Sequence, residues 1–150
     1  MDQSFNYEEA LLGLTTIVAW ADGENQSSEV DARVKMMFHE NISSDTLEEY
    51  SLKHERISDH ENVFRLCIAS LKKSASSEKA KACAWMYQVA LVASNGKDGD
   101  LDYIEDTWEA NNSNLDNEEL QWINRARQEL GVSLSEQKYE FEKLPKIERV

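Results

Sequence analysis

Two acidic turns carry the residue types that bind hard cations. The first is the step Asp22-Gly23, and Glu29 stands six positions after its glycine. The second is Asp98-Gly99, again with a glutamate six positions after the glycine. Calcium prefers carboxylate oxygens, and an Asp-Gly step with a later glutamate is part of the calcium-loop pattern. The candidate metal ligands are Asp22, Glu24, Glu29, Asp98, Asp100, Asp102 and Glu105.

Neither turn supplies the complete ligand set of a calcium loop. In the second turn the first ligand position holds Ser94 and the third holds Gly96, which has no side chain. The corresponding positions of the first turn hold Val18 and Trp20. A true EF-hand is therefore disfavoured, and the simpler interpretation is that each Asp-Gly ends a helix whose successor gains a favourable glutamate near its N-terminus. A third possibility is that acids of both turns converge in space and share one cation.

The elements that must position these turns are helices. Apolar side chains recur at helical spacing through most of the chain, and no convincing alternation typical of a strand is present. The first helix begins near Tyr7 and ends at Asp22-Gly23. The second has the N-cap Ser28, the terminator Asn41 and the apolar face Val30, Val34, Met37 and Phe38. Later helices are predicted from the capping boxes Asp45 with Glu48, Ser58 with Glu61, Asp116 with Glu119 and Ser133 with Glu136, from the terminal Gly131, and from the apolar positions between Leu101 and Trp108.

The helix predicted over residues 77–94 is apolar on most sides, which places it in the middle of a bundle. We expect it to end at about Ser94. The sequence therefore predicts an all-α fold, a single-domain helical bundle of about seven to eight helices spanning residues 1–150. Its core is expected over about residues 7–133, with a C-terminal helix and tail over 134–150.

The charge balance is the strongest deviation in composition. The 150 residues include 29 acidic and 16 basic side chains, for a formal net charge of −13. This charge opposes attraction to phosphates, so nucleic acid is excluded as a partner, whereas cations and basic protein surfaces are favoured. No apolar run is long enough to insert in a membrane, and Met1 begins no signal-peptide pattern, so a cytoplasmic location is expected. Cys67 and Cys83 lie in apolar helical stripes and are predicted to be buried free thiols.

No set of residues points to catalysis. His39, His54 and His60 do not form a zinc pattern, and the chain has no GxSxG motif and no phosphate-binding glycine loop. We therefore predict that the protein is not an enzyme, and a metal-dependent hydrolase has the least support among the alternatives. The tryptophans are expected to anchor core or groove contacts, and Trp20 lies directly beside the first acidic turn.

The apolar run into Asp22-Gly23-Glu24, followed by Glu29, resembles the tellurite-resistance TerB-like family. The second half carries a degenerate copy, in which residues 91–96 correspond to the helix end and residues 115–119 and 130–133 look like the closing helix of the family. In this alignment Asn95-Gly96 pairs with Asp22-Gly23, and residues 97–114 form an insertion. A competing alignment pairs the two Asp-Gly steps with each other.

The resemblance implies two similar helical halves with the acids of both turns gathered near one end. It also implies an association with tellurite or other stress resistance, with proposed divalent-cation binding, and with use as a module beside other domains. Our leading hypothesis is a non-catalytic protein-interaction module with an acidic surface and exposed tryptophans that binds a protein partner. The alternative is a divalent-cation binding protein, with calcium as the most suitable ion for its carboxylates.

Overall fold

The regular structure of the described residues is entirely α-helical, which confirms the predicted all-α class. The computed structural model describes residues 4–19, 27–57, 59–98 and 117–144. Within these ranges the chain forms seven helices: α1 (Tyr7–Ala19), α2 (Ser27–His39), α3 (Ser44–Glu55), α4 (His60–Leu71), α5 (Ser76–Asp98), α6 (Asn117–Leu130) and α7 (Leu134–Lys143). The helix predicted between Leu101 and Trp108 lies outside the described residues, and the relation between two similar halves stays a prediction.

Two central helices, α1 and α5, organise the packing. Helix α5 contacts α1, α2, α6 and α7, and residues 82–90 are buried without interruption, as expected for a helix in the middle of a bundle. Helix α1 contacts α3, α4 and α5 and is buried on all sides from Glu9 to Ala19. The hydroxyls of Thr15 and Thr16 donate to main-chain carbonyls one turn earlier, so they are buried without losing their hydrogen bonds.

Several helix ends follow the local sequence signals. Asn41 has a positive φ of 58°, and the Ile42 N–H bonds back to the carbonyl of Met37 at 2.8 Å, which closes α2. Gly131, with φ 69°, closes α6 in the same way. Ser133 and Glu136 form the predicted capping box at the start of α7.

Other helix starts differ from the prediction by one or two residues. The cap of α3 is Ser43, whose hydroxyl accepts from the Thr46 N–H at 3.1 Å, rather than Asp45. The cap of α4 is Asp59, and α2 already includes the expected cap Ser28. Neighbouring Ser and Asp residues have nearly equal capping propensity, so the local sequence alone does not choose between them.

Helix α5 passes through the Asn95-Gly96 step and ends at Asp98, so the prediction of an end at residue 94 was wrong. A glycine inside a helix costs only about 1 kcal/mol relative to alanine, whereas each further residue adds a helical hydrogen bond. The Asn95-Gly96 step therefore does not end α5, which packs against four neighbouring helices.

Only part of the apolar set predicted on α2 packs inward: Met37 packs against the core, whereas Val34 and Phe38 do not. The helix packs on α5 through Met36, which is fully buried, while Val34 and Phe38 are 56% and 87% exposed. Helices α1 and α2 meet only weakly although the segment between them is short. The spacing of these apolar residues correctly predicted a helix, but the tertiary packing leaves Val34 and Phe38 on its outer side. None of the helices in the described ranges combines the length and apolarity needed to cross a membrane.

Candidate functional site

The acids of the two turns lie largely beyond the part of the chain that the structure describes. Glu29 lies in α2 and Asp98 in the last turn of α5 as far as their backbone is concerned. The other candidates, Asp22, Glu24, Asp100, Asp102 and Glu105, lie outside the described residues. Their convergence on one cation therefore stays a prediction. Among the described residues, no group of three or more His, Cys, Asp or Glu side chains is arranged to hold a metal ion.

Both cysteines are buried free thiols, as predicted. Burial raises the pKa of the Cys83 thiol to about 12, and burial likewise raises the pKa of Cys67 far above its usual range. A nucleophilic cysteine needs a thiolate, which burial in apolar surroundings disfavours. These two side chains are therefore core residues.

The described tryptophans do not supply an exposed surface, contrary to our expectation for the interaction module. Trp85 is fully buried, and its indole N–H donates to Glu40 Oε2 at 3.0 Å. Trp122 is partly buried, and its ring packs against Phe64 at a centroid distance of 5.3 Å. Trp20 and a further tryptophan at position 108 lie outside the described residues.

An exposed acidic surface is instead formed by α3, which is amphipathic. Tyr50 is buried on its inner side, and Leu47 packs against the core. Leu52 is 53% exposed on the outer side. Around it lie exposed carboxylates within about one third of the helix circumference, given the helical rotation of about 100° per residue. We call this set the acidic face; its members are Asp45, Glu48, Glu49, Leu52 and Glu55.

The lysine of α3 does not neutralise the acidic face. Lys53 Nζ donates to Glu9 Oε1 at 2.8 Å and to the main-chain oxygen of Ser4 at 3.1 Å. The Glu9 carboxylate is only 2% exposed, so the ion pair lies on the inner side of the helix. Because the positive charge of Lys53 is matched by a buried carboxylate, Lys53 does not offset the outward carboxylates of α3, and the cation that follows them along the chain is the exposed Arg56 at the end of the helix.

Buried Glu9 itself has a structural role at the start of α1. Its Oε1 accepts from the Asn6 N–H at 2.9 Å, and the Asn6 side chain accepts from the Glu9 N–H at 2.8 Å. This reciprocal pair is a capping box with Asn6 as the N-cap. This box was not among the predicted helix starts, although asparagine is as good an N-cap as serine or aspartate. The spacing of Asn6 and Glu9 is the signal that would have found it.

Comparisons with known proteins identify no relative. No family model matches the chain, and neither a curated protein nor a solved structure is significantly similar to it. The resemblance of residues 7–133 to the TerB-like family therefore stays a prediction.

Proposed function

We propose that the chain is a non-catalytic protein-interaction module whose acidic face binds a basic, amphipathic segment of a partner protein. The observation that carries this proposal is the exposed Leu52 at the centre of four exposed carboxylates on α3. The TerB-like resemblance would place such a module in tellurite or stress resistance. A cytoplasmic location is part of the same proposal.

A single exposed leucine is ordinary on protein surfaces and would not by itself indicate a binding site. Its surroundings make the difference here. The net charge of −13 attracts a basic segment at long range, and the acidic face concentrates negative charge where the leucine can contact an apolar side chain. A lysine-rich helix with one apolar stripe offers both complements, which is the chemistry of helix-in-groove and helix-on-helix recognition.

The test uses a synthetic helical peptide in which lysines flank a leucine stripe, with binding followed by fluorescence anisotropy at low ionic strength. Leu52→Ala should raise the Kd about fivefold, because it removes roughly 1 kcal/mol of apolar contact. Glu49→Gln should raise it about threefold, and added salt should weaken wild-type binding further.

Two variants of α7 provide matched controls. Leu134 is 52% exposed, so Leu134→Ala removes the same side chain at nearly the same exposure as Leu52→Ala. Glu142 is exposed as well, and Glu142→Gln changes the net charge by the same amount as Glu49→Gln. Equal losses in the α3 and α7 variants, or no binding of the peptide to the wild type, would contradict a site on α3.

Divalent-cation binding through the acidic turns is the second candidate function, and the sequence pattern around Asp22 and Glu29 favours it. Calorimetric titration of chelator-stripped protein with Ca²⁺ should give binding below the millimolar range, which Asp22→Asn combined with Glu29→Gln abolishes. Glu142→Gln should leave the titration unchanged. Binding that is absent in the wild type, or is unaffected by the double variant, would rule this function out.

A further inference from the structure

A groove between α4 and α6 gathers three basic side chains in a strongly acidic protein. It encloses a cavity of about 360 Å³ whose apolar lining consists of Phe64, Ile68 and Ala69. Its cationic lining consists of Arg65, Lys72 and Arg125, and one carboxylate, Glu129, also lines it. Three cations in one groove are unexpected in a chain with a net charge of −13. The local surface can therefore attract an anion that the whole protein repels.

The two guanidinium groups are held in place by one carboxylate. Arg125 donates through both terminal nitrogens to the Glu61 oxygens at 2.7 and 2.6 Å, and Arg65 Nε donates to Glu61 Oε2 at 3.1 Å. These hydrogen bonds lower the pKa of Glu61 to about 2. The Arg125 guanidinium also stacks over Phe64, 4.4 Å from the ring centroid. Both guanidinium groups are held in place by Glu61 but retain further N–H donors, which can donate hydrogen bonds to a ligand.

Lys72 adds a third cation, which has no ion pair within the described part of the chain. It is exposed, it lies seven residues after Arg65 and so on the same side of α4, and no ion pair joins it to any described residue, including Glu129. An unpaired ammonium beside oriented guanidiniums is the arrangement that recognises phosphate and carboxylate groups.

We propose that this groove binds a small organic anion, in which a phosphate or carboxylate contacts Lys72 and the arginines while an apolar body lies on the lining of Phe64 and Ile68. The cavity volume falls within the range of small-molecule sites, which is roughly 300–1,000 Å³. The cations of the groove act over roughly the Debye length, which is about 8–10 Å. A long polyanion would extend past this distance and meet the acidic surface around the groove. A small anion in the groove is attracted by the nearby cations instead.

The test is an NMR titration with phenyl phosphate and with benzoate, which separate the two anionic groups on one apolar body. The Nε–H signals of Arg65 and Arg125 should shift on addition of at least one probe. Lys72→Gln should weaken that binding at least fivefold, and Glu129→Gln should strengthen it, because one removes an attractive charge and the other a repulsive one. Phenol, the neutral counterpart, should leave both signals in place.

Lys35→Gln is the matched control, because Lys35 is an exposed lysine on α2 without an ion pair among the described residues. It should leave the affinity unchanged. Equal weakening by Lys72→Gln and Lys35→Gln would show a general charge effect and overturn the proposal. Arginine signals that stay fixed with both probes up to about 10 mM, where the binding free energy would be weaker than about −3 kcal/mol, would overturn it as well.

Discussion

Gly13→Ala should lower the free energy of unfolding by about 2 kcal/mol, even though alanine is the better helix former by about 1 kcal/mol. Gly13 lies in the middle of α1, where α1 crosses α4. An added Cβ would overlap the Sγ of Cys67 and would lie 3.3 Å from Cγ1 of Val63. Cys67 is fully buried, so moving its Sγ away would disturb the packed core, and we expect overpacking to cost more than the gain in helix propensity. Urea denaturation of the purified variant measures the loss.

The cause can be separated from a general intolerance of α1 by changing the partner side chain. Cys67→Ala removes the sulfur that the new Cβ would meet, at the expense of a small cavity. In that background Gly13→Ala should be neutral or stabilising, because its helix propensity remains and its main clash is gone. The same loss of stability in both backgrounds would show that the close approach of α1 and α4 is not the reason for glycine at this position.

Gly13 illustrates which parts of the fold the sequence can predict. Helix ends depend on neighbouring residues in the chain, and Asn41, Gly131 and Ser133 were identified from local signals because their hydrogen bonds are local. A glycine inside a helix, in contrast, reads only as a weak helix former. Glycine is needed at position 13 because a second helix approaches there. The contacting residue, Cys67, is distant in the sequence, so no local pattern indicates the contact.

The same limit applies to the surfaces. The spacing of Val34 and Phe38 indicated a helix, but which face of α2 turns toward α5 is decided by packing between distant segments, and the two side chains point outward. On α3 the carboxylates around Leu52 were visible in the sequence as separate acids. That Lys53 does not offset them became evident only from its pairing with Glu9, 44 residues earlier in the chain.

Lys53→Met should destabilise the protein by about 3 kcal/mol, because it removes the partner of a buried carboxylate. Glu9 is 2% exposed, and its second oxygen, Oε2, has no hydrogen-bond partner among the described residues. After the substitution the Asn6 N–H is the remaining described donor to Oε1. Lys53 is itself 27% exposed, so water can reach part of the vacated space. The loss of unfolding free energy should therefore lie at the lower end of the range for broken buried ion pairs. Methionine keeps a long, unbranched side chain and good helix propensity, so chemical denaturation reports mainly the lost charge.

Glu9→Gln tests whether the loss comes from the unpaired charge or from the packing of the lysine stem. The glutamine oxygen can still accept from Asn6, so the cap of α1 is preserved while the buried charge is removed. In the Glu9→Gln background, Lys53→Met should cost less than about 1 kcal/mol, because no carboxylate is left without its partner. A cost that stays near 3 kcal/mol there would mean that Lys53 contributes through its hydrocarbon stem and its bond to Ser4. The ion pair that turns Lys53 away from the acidic face would then contribute little to the stability of the fold.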